Sequence, residues 1–164
     1  MHPPVPILIV DDRVRNLTII RSVLDSPDYH LVMVQNAQDA LLALLNTDFA
    51  AVLLDVKMPD LTGYDLARLI HGRKTNRHLP IIFISGHRTD AADERIGYEA
   101  GGVDYVCKPF DPVVLRTKVE VFAELYRQRA ALGADAASLR DENARLHHLL
   151  AARTSIDPLG SIEN

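Results

Sequence analysis

Residues 50–59 read AAVLLDVKMP, and the apolar run at the start of this segment ends abruptly at Asp55. An unbroken apolar run without polar alternation is typical of a short strand that is buried on both faces of a parallel sheet. A stretch with helical periodicity follows from Thr62 to about Arg73. We therefore predict a strand over residues 50–54, with Asp55 at its carboxyl end.

The same alternation of a short apolar run and a longer helical stretch recurs along residues 1–127. The other predicted strands are Val5–Val10, His30–Val34, Ile81–Ile84 and Val103–Cys107, and the other predicted helices lie near residues 17–24, 37–45 and 90–100. Right-handed crossovers place the connecting helices on both faces of a parallel sheet. The pattern therefore predicts a doubly wound α/β domain with a five-stranded parallel sheet over residues 1–127.

The composition excludes several functional classes. The 164 residues carry a net charge of −4, which provides no overall positive field for nucleic acid or for an anionic membrane. Cys107 is the single cysteine, and no secretory signal opens the sequence. No apolar run approaches the roughly 20 residues of a membrane span. We expect a cytoplasmic protein with no membrane segment and no direct nucleic-acid binding.

Polar side chains follow four of the predicted strands, at the edge of the sheet where open α/β folds bind their ligands. They are Asp11 and Asp12, Asp55, Ser85 and Lys108. Clustered carboxylates repel one another unless a cation lies among them, and Mg²⁺ prefers carboxylates together with phosphate oxygens. We therefore expect a Mg²⁺ site at which Asp55 accepts a phosphoryl group while Lys108 neutralises its charge. The alternative is that these residues cap helices or lie in solvated turns.

The motifs around these residues closely resemble the receiver domain of two-component response regulators over about residues 5–125. The matching segments are Val10-Asp11-Asp12, residues 54–59 with Gly63 beyond them, Ser85-Gly86, Asp104-Tyr105 and Lys108-Pro109-Phe110. The resemblance implies a flavodoxin-like sheet of order 2-1-3-4-5 and phosphorylation of Asp55 by a histidine kinase or a phosphotransfer protein. It also implies Mg²⁺ held by Asp12, Asp55 and the backbone carbonyl of Lys57, with Asp11 acting through water.

The resemblance also implies a conformational switch. A cis peptide between Lys108 and Pro109 would aim the ammonium group into the site. On phosphorylation Ser85 would move toward the phosphoryl group and Tyr105 would turn inward, which would alter the face formed by the fourth helix, the fifth strand and the fifth helix. The alternative for Tyr105 is a plain core aromatic residue.

Three further residues near the site follow from the same resemblance. In the family, the positions of Lys57 and His87 tune the lifetime of the phosphoryl group. Gly86 has no side chain and should leave the site open to attack. The sequence does not predict the lifetime itself.

A long helix is predicted after the domain, because Asp111 and Pro112 are typical of a helix start and the next proline is Pro158. The helix is expected to reach about Arg153, and residues 128–153 to form a parallel dimeric coiled coil. The heptad places Phe122, Arg129, Ala136, Asn143 and Leu150 at a positions and Leu125, Leu132, Leu139 and Leu146 at d positions. The alternative is a monomeric helix, which Arg129 at an a position and Gly133 within the helix favour. Residues 154–164 are expected to be a flexible tail or the start of an output module.

Two enzymatic alternatives stay open at this point. The chain could be the regulatory half of a larger signalling enzyme, such as a diguanylate cyclase or a hybrid histidine kinase, and residues 157–160 weakly resemble the entry to a cyclase domain. A phosphatase of the haloacid dehalogenase class also uses an aspartate at a strand end. That class needs a second aspartate two residues later, where this sequence has Lys57.

Overall fold

The computed structural model describes residues 2–86 and 91–162 and contains a five-stranded parallel sheet. The strands are β1 (Val5–Val10), β2 (Tyr29–Val34), β3 (Ala51–Asp55), β4 (Ile81–Ser85) and β5 (Asp104–Cys107). Their order in the sheet is β2-β1-β3-β4-β5, and every neighbouring pair is parallel. The predicted fold class and strand order are confirmed.

Helices connect the strands and cover both faces of the sheet. They are α1 (Val14–Leu24), α2 (Ala37–Asn46), α3 (Gly63–Gly72), a short 3₁₀ turn (Lys74–Asn76), α4 (Ala91–Glu99) and α5 (Pro112–Ile162). Side-chain caps fix the starts of α2, α3 and α5. Asn36 Oδ1 accepts from the N–H of Asp39 at 2.8 Å, Thr62 Oγ1 from the N–H of Asp65 at 3.1 Å, and Asp111 Oδ1 from the N–H of Val113 at 2.8 Å. These caps satisfy backbone donors that the first helical turn leaves without partners.

The sheet divides the buried apolar residues into two layers, because successive side chains of a strand point to opposite faces. Ile7 and Ile9 of β1 pack with residues of α1 and α5, whereas Leu8 and Val10 pack with residues of α2 and α3. With apolar side chains buried on both faces, the edge where the strands end is left for polar groups. The candidate site residues therefore lie at the ends of strands whose side chains are packed on both faces of the sheet.

The chain divides into two compact units, Met1–Tyr126 and Arg127–Asn164. Within the first unit, α5 buries Leu115, Val119 and Ala123 in the layer that also contains α1. Phe122 packs against this layer as well. Phe122 is the first a position of the predicted heptad, and its half-buried ring also contributes to the core of its own domain.

The helix α5 continues beyond the end that the sequence indicated. The structure assigns helix up to Ile162, whereas the expected end was near Arg153. Among the described residues, none of the helices combines the length and the apolar character that crossing a membrane requires.

Candidate functional site

Three carboxylates meet at the carboxyl edge of the sheet. Asp55 ends β3 and Asp11 directly follows β1, and these two strands are neighbours with Val10 paired to Leu54. One oxygen from each of Asp11, Asp12 and Asp55 lies within 4.8 Å of the other two. Asp11 is 1% exposed and Asp55 is 5% exposed, so two of the three carboxylates are buried. The structure thus brings together the acidic residues that the sequence placed at the ends of two different strands.

Lys108 provides the positive charge of the site. Its Nζ lies 3.4 Å from Asp11 Oδ2 and 3.5 Å from Asp55 Oδ1, and its side chain is 22% exposed. The Lys108-Pro109 peptide is cis, as the resemblance implied. The N–H of Lys108 donates to the carbonyl of Ser85 at 2.7 Å, which ties the end of β5 to the end of β4. The ammonium group can therefore contact the charge on Asp55 and a group bound to it.

Two hydrogen bonds to the other carboxylate oxygen of Asp11, Oδ1, hold this side chain in place. The N–H of Arg13 donates to Asp11 Oδ1 at 2.9 Å, and Nδ2 of Asn16 donates to the same oxygen at 3.2 Å. Asn16 was not predicted as a site residue. Its position in the sequence could have indicated this role. Asn16 comes five residues after Asp11, and the first turn of α1 places its side chain near the end of β1.

The electrostatics of the site oppose a negative charge on Asp55. Burial and the neighbouring Asp11 raise the pKa of Asp55 to about 6, and Lys108 and the N–H of Lys57 partly offset this increase. Hard divalent cations bind carboxylate oxygens, and such a cation would relieve the repulsion among the three aspartates. The donor set of Asp11, Asp12 and Asp55 therefore fits Mg²⁺.

The remaining predicted residues surround this cluster. Ser85 ends β4, one residue beyond Ile84, which pairs with Asp55. Lys57 is exposed, and its N–H donates to the Asp55 carboxylate. Gly86 is exposed, and among the described residues no heavy atom lies within 4 Å of a Cβ added there. His87 lies outside the described residues.

Tyr105 lies on β5, the strand that precedes Lys108, and its neighbours are aromatic and polar. Its ring centroid is 5.4 Å from that of Phe83 and 5.7 Å from that of Tyr98. Its hydroxyl donates to the hydroxyl of Tyr64 at 3.1 Å. Burial and this hydrogen bond raise the pKa of Tyr105. Tyr64 is a neighbour of Tyr105 that the sequence reasoning missed.

Residues 7–120 match the family described as the response regulator receiver domain. The chain belongs to this family. Receiver domains are signalling modules of two-component systems that accept phosphoryl groups from histidine kinases, and phosphorylation and Mg²⁺ binding are general properties of the family. By itself the receiver domain is not an enzyme.

Curated relatives of this receiver are longer proteins with different names. The transcriptional regulatory protein ResD of Bacillus subtilis is 35% identical over 114 residues, which cover 68% of this chain and 46% of ResD. A probable cyclic di-GMP phosphodiesterase of Vibrio cholerae is 32% identical over 126 residues, which cover 77% of this chain and 28% of that protein. The response regulator PleD of Caulobacter vibrioides is 30% identical over 150 residues, which cover 87% of this chain and 33% of PleD. The chain thus spans less than half the length of each of these relatives.

Solved receiver structures share the fold. The receiver domain of the sensor histidine kinase PA1611 of Pseudomonas aeruginosa, solved with a magnesium ion in its active site cleft, has a TM-score of 0.66 and 28% identity. The match covers 74% of this chain and 98% of that domain. The BeF3-activated receiver domain of DrrB has a TM-score of 0.66 and 30% identity, with the same coverage of 74% and 98%.

Proposed function

We propose that Asp55 of this receiver accepts a phosphoryl group from the phosphohistidine of a histidine kinase or a phosphotransfer protein. The observation that carries this proposal is a buried carboxylate at a strand end, adjacent to two further carboxylates and 3.5 Å from an ammonium group. Acceptance of a phosphoryl group needs a nucleophile and nearby positive charge, and Asp55 and Lys108 are in place for these two roles.

The reaction requires the ionised form of Asp55. One Asp55 carboxylate oxygen attacks phosphorus, the P–N bond to the donor imidazole breaks, and the imidazole leaves with the electron pair of that bond and takes up a proton. Mg²⁺ held by Asp12, Asp55 and the carbonyl of Lys57, with Asp11 acting through water, would supply positive charge for the transferred oxygens and favour the ionised carboxylate. Lys108 neutralises a further part of that charge.

The added phosphoryl group is the signal in this proposal. It brings about −1.5 to −2 of charge to a site where Ser85 and Lys108 can bind it. Ser85 then moves toward the phosphoryl group and Tyr105 changes position, which alters the face formed by α4, β5 and α5. Lys57 and His87 are proposed to tune the lifetime of the phosphoryl group, Gly86 leaves space for attacking water, and Pro109 supports Lys108.

We further propose that residues 128–153 transmit this change as a parallel coiled coil of two chains. The leucine stripe, which we define as Leu125, Leu132, Leu139, Leu146 and Leu150, is between 49% and 67% exposed in the single chain. Helices with leucines at this spacing bury them against a partner helix. Ala136 and Asn143 occupy a positions of the same heptad, and an asparagine there favours a parallel pair.

A second candidate is that the receiver and its helix form the regulatory half of a larger signalling enzyme. The observation that favours it is that the matched relatives are two to four times longer than their aligned segments, and that one is named a cyclic di-GMP phosphodiesterase. In either case we propose that the protein is cytoplasmic and that residues 1–127 form the receiver domain. Residues 154–164 then lead toward an output module of unknown kind.

Phosphoryl labelling tests the proposed acceptor. The protein is incubated with Mg²⁺ and a radiolabelled small phosphodonor such as phosphoramidate, and the label on the chain is counted. Asp55→Asn should abolish labelling without unfolding the domain. Asp48→Asn, which changes an exposed carboxylate before β3, is the matched control and should label like the unaltered protein. Label that persists in Asp55→Asn would place the acceptor elsewhere.

A further inference from the structure

Tyr64 lies at the start of α3 and contacts the proposed switch residue. The hydroxyl of Tyr105 donates to the hydroxyl of Tyr64 at 3.1 Å, although the two residues are 41 positions apart. The ring of Phe83 lies beside both, with centroid distances of 4.9 Å to Tyr64 and 5.4 Å to Tyr105. Both tyrosines are half-buried. The hydrogen bond therefore joins α3 to β5 in a partly dry environment, where such a bond is strengthened.

The start of α3 is packed directly on the backbone of the phosphoacceptor. A Cβ at Gly63 would collide with the carbonyl oxygen of Asp55, so this position has room for hydrogen only. The N–H of Gly63 also donates to the carbonyl of Val56 at 2.9 Å. Because Tyr64 is the next residue, we expect a displacement of the backbone at Asp55 to reach the Tyr64 backbone.

The other end of the contact reaches α4. A Cβ at Gly97 would collide with the hydroxyl of Tyr105, so the ring occupies space that α4 leaves open at a glycine. The Tyr105 hydroxyl also lies 3.5 Å from the carbonyl of Glu94, on the preceding turn of α4. Any change in the position of the Tyr105 ring must therefore change its packing against α4.

We infer that Tyr64 is a positioning residue for the switch: its hydroxyl holds Tyr105 in the conformation seen here, and it connects Tyr105 to Asp55 through Gly63. This inference rests on the proposed phosphorylation of Asp55 and adds a route that does not pass through Ser85. In the proposed switch Tyr105 leaves the position seen here, which would break its hydrogen bond to Tyr64. The bond would therefore bias the equilibrium between the two positions of Tyr105.

A pair of hydroxyl deletions separates this role from simple packing. Tyr64→Phe and Tyr105→Phe each keep the ring and remove one partner of the hydrogen bond. The matched control is Tyr98→Phe, which removes a hydroxyl from another ring that contacts Tyr105. Beryllofluoride, a mimic of the phosphoryl group, is titrated in the presence of Mg²⁺ into each full-length variant and into the double variant. Its dissociation constant reports the equilibrium of the switch.

The position of Tyr105 is followed in the same variants by ¹⁹F NMR. The chain has five tyrosines, so labelling with 3-fluorotyrosine gives five signals, and the signal that Tyr105→Phe removes is that of Tyr105. In Tyr64→Phe we expect this signal to shift and the dissociation constant of beryllofluoride to change about fivefold, the effect of one hydrogen bond between neutral groups. The direction of the change tells which state contains the bond. Tyr98→Phe should stay within about twofold.

The double variant shows whether the hydroxyls of Tyr64 and Tyr105 act through one hydrogen bond or independently. If the two hydroxyls act through one bond, the double variant should bind beryllofluoride like either single variant. Additive effects, or a dissociation constant and a Tyr105 signal that do not change in Tyr64→Phe, would overturn the inference. Failure of the unaltered protein to bind beryllofluoride would instead overturn the proposed function, so the two failures are distinguishable.

Discussion

Two properties of Asp55 oppose each other: its carboxyl group must be ionised, and its surroundings disfavour the ionised form. It must be ionised to attack phosphorus, yet it is 5% exposed and lies next to Asp11 and Asp12. Lys108, at 3.5 Å, compensates only part of the repulsion, since the pKa of Asp55 stays at about 6. The negative charge that makes the site reactive is therefore a cost to the stability of the metal-free domain.

This cost predicts a pH dependence for the metal-free protein. The folded pKa of about 6 lies above the ordinary value of 3.8, so the folded state binds more protons between these values and its stability falls as the pH rises from about 4 to 6. At pH 8 Asp55→Asn should raise the free energy of unfolding by up to about 3 kcal/mol. Urea denaturation at several pH values, with a chelator present, measures the difference.

The same experiment contains its controls. At pH 3.5 the gain from Asp55→Asn should nearly vanish, because the carboxyl group is protonated in the folded state and mostly protonated in the unfolded state. Asp48→Asn removes an exposed charge and should change stability by less than about 0.5 kcal/mol at every pH. A gain for Asp55→Asn that is equal at pH 3.5 and pH 8 would show that ionisation is not its cause.

Backbone contacts constrain the segment that connects β3 to α3. Gly63 opens α3 directly against the carbonyl of Asp55, and backbone cannot move aside as a flexible side chain can. Gly63→Ala should therefore lower the free energy of unfolding by on the order of 1–3 kcal/mol, the usual cost of overpacking. Urea denaturation in the presence of Mg²⁺ measures the loss.

The last residue of α3 offers the matched substitution. A Cβ at Gly72 would have no heavy atom within 4 Å, and alanine is the better helix former. Gly72→Ala should therefore leave stability unchanged or raise it by up to about 1 kcal/mol. Equal effects of the two substitutions would mean that the contact between Gly63 and Asp55 does not restrict the segment.

Strands and helices were predictable from the sequence because their apolar periodicity is a local property. Asp11, Asp12, Asp55 and Lys108 could also be predicted to meet, since parallel strands end at one edge of a sheet. Tyr64 could not be assigned in this way. Its role depends on which side chain reaches which atom across the fold, since it lies 41 residues from Tyr105. Phe122 shows another limit of prediction from the sequence, because the same spacing of apolar residues fits both a coiled coil and a domain core.

For the molecule as a whole, α5 is the element that both compact units share. Up to Tyr126 its inner residues are buried in the receiver core, and between residues 127 and 153 its leucines are exposed in the single chain. A helix this long gains little stability from its own sequence, since most helical stability in proteins comes from tertiary packing. The exposed leucines of residues 127–153 therefore favour a second chain as the partner of this helix.

Leu139→Lys tests the pairing of two chains. A lysine in the middle of the leucine stripe would place a charge in a dry seam, so light scattering should show the mass fall from twice 18.2 kDa to 18.2 kDa. Ala137→Lys adds the same charge at an outward heptad position and should remain a dimer. A dimer that survives Leu139→Lys would remove the coiled coil from the proposal. Beryllofluoride added to the unaltered protein then separates a permanent pair, whose mass does not change, from one that forms on phosphorylation.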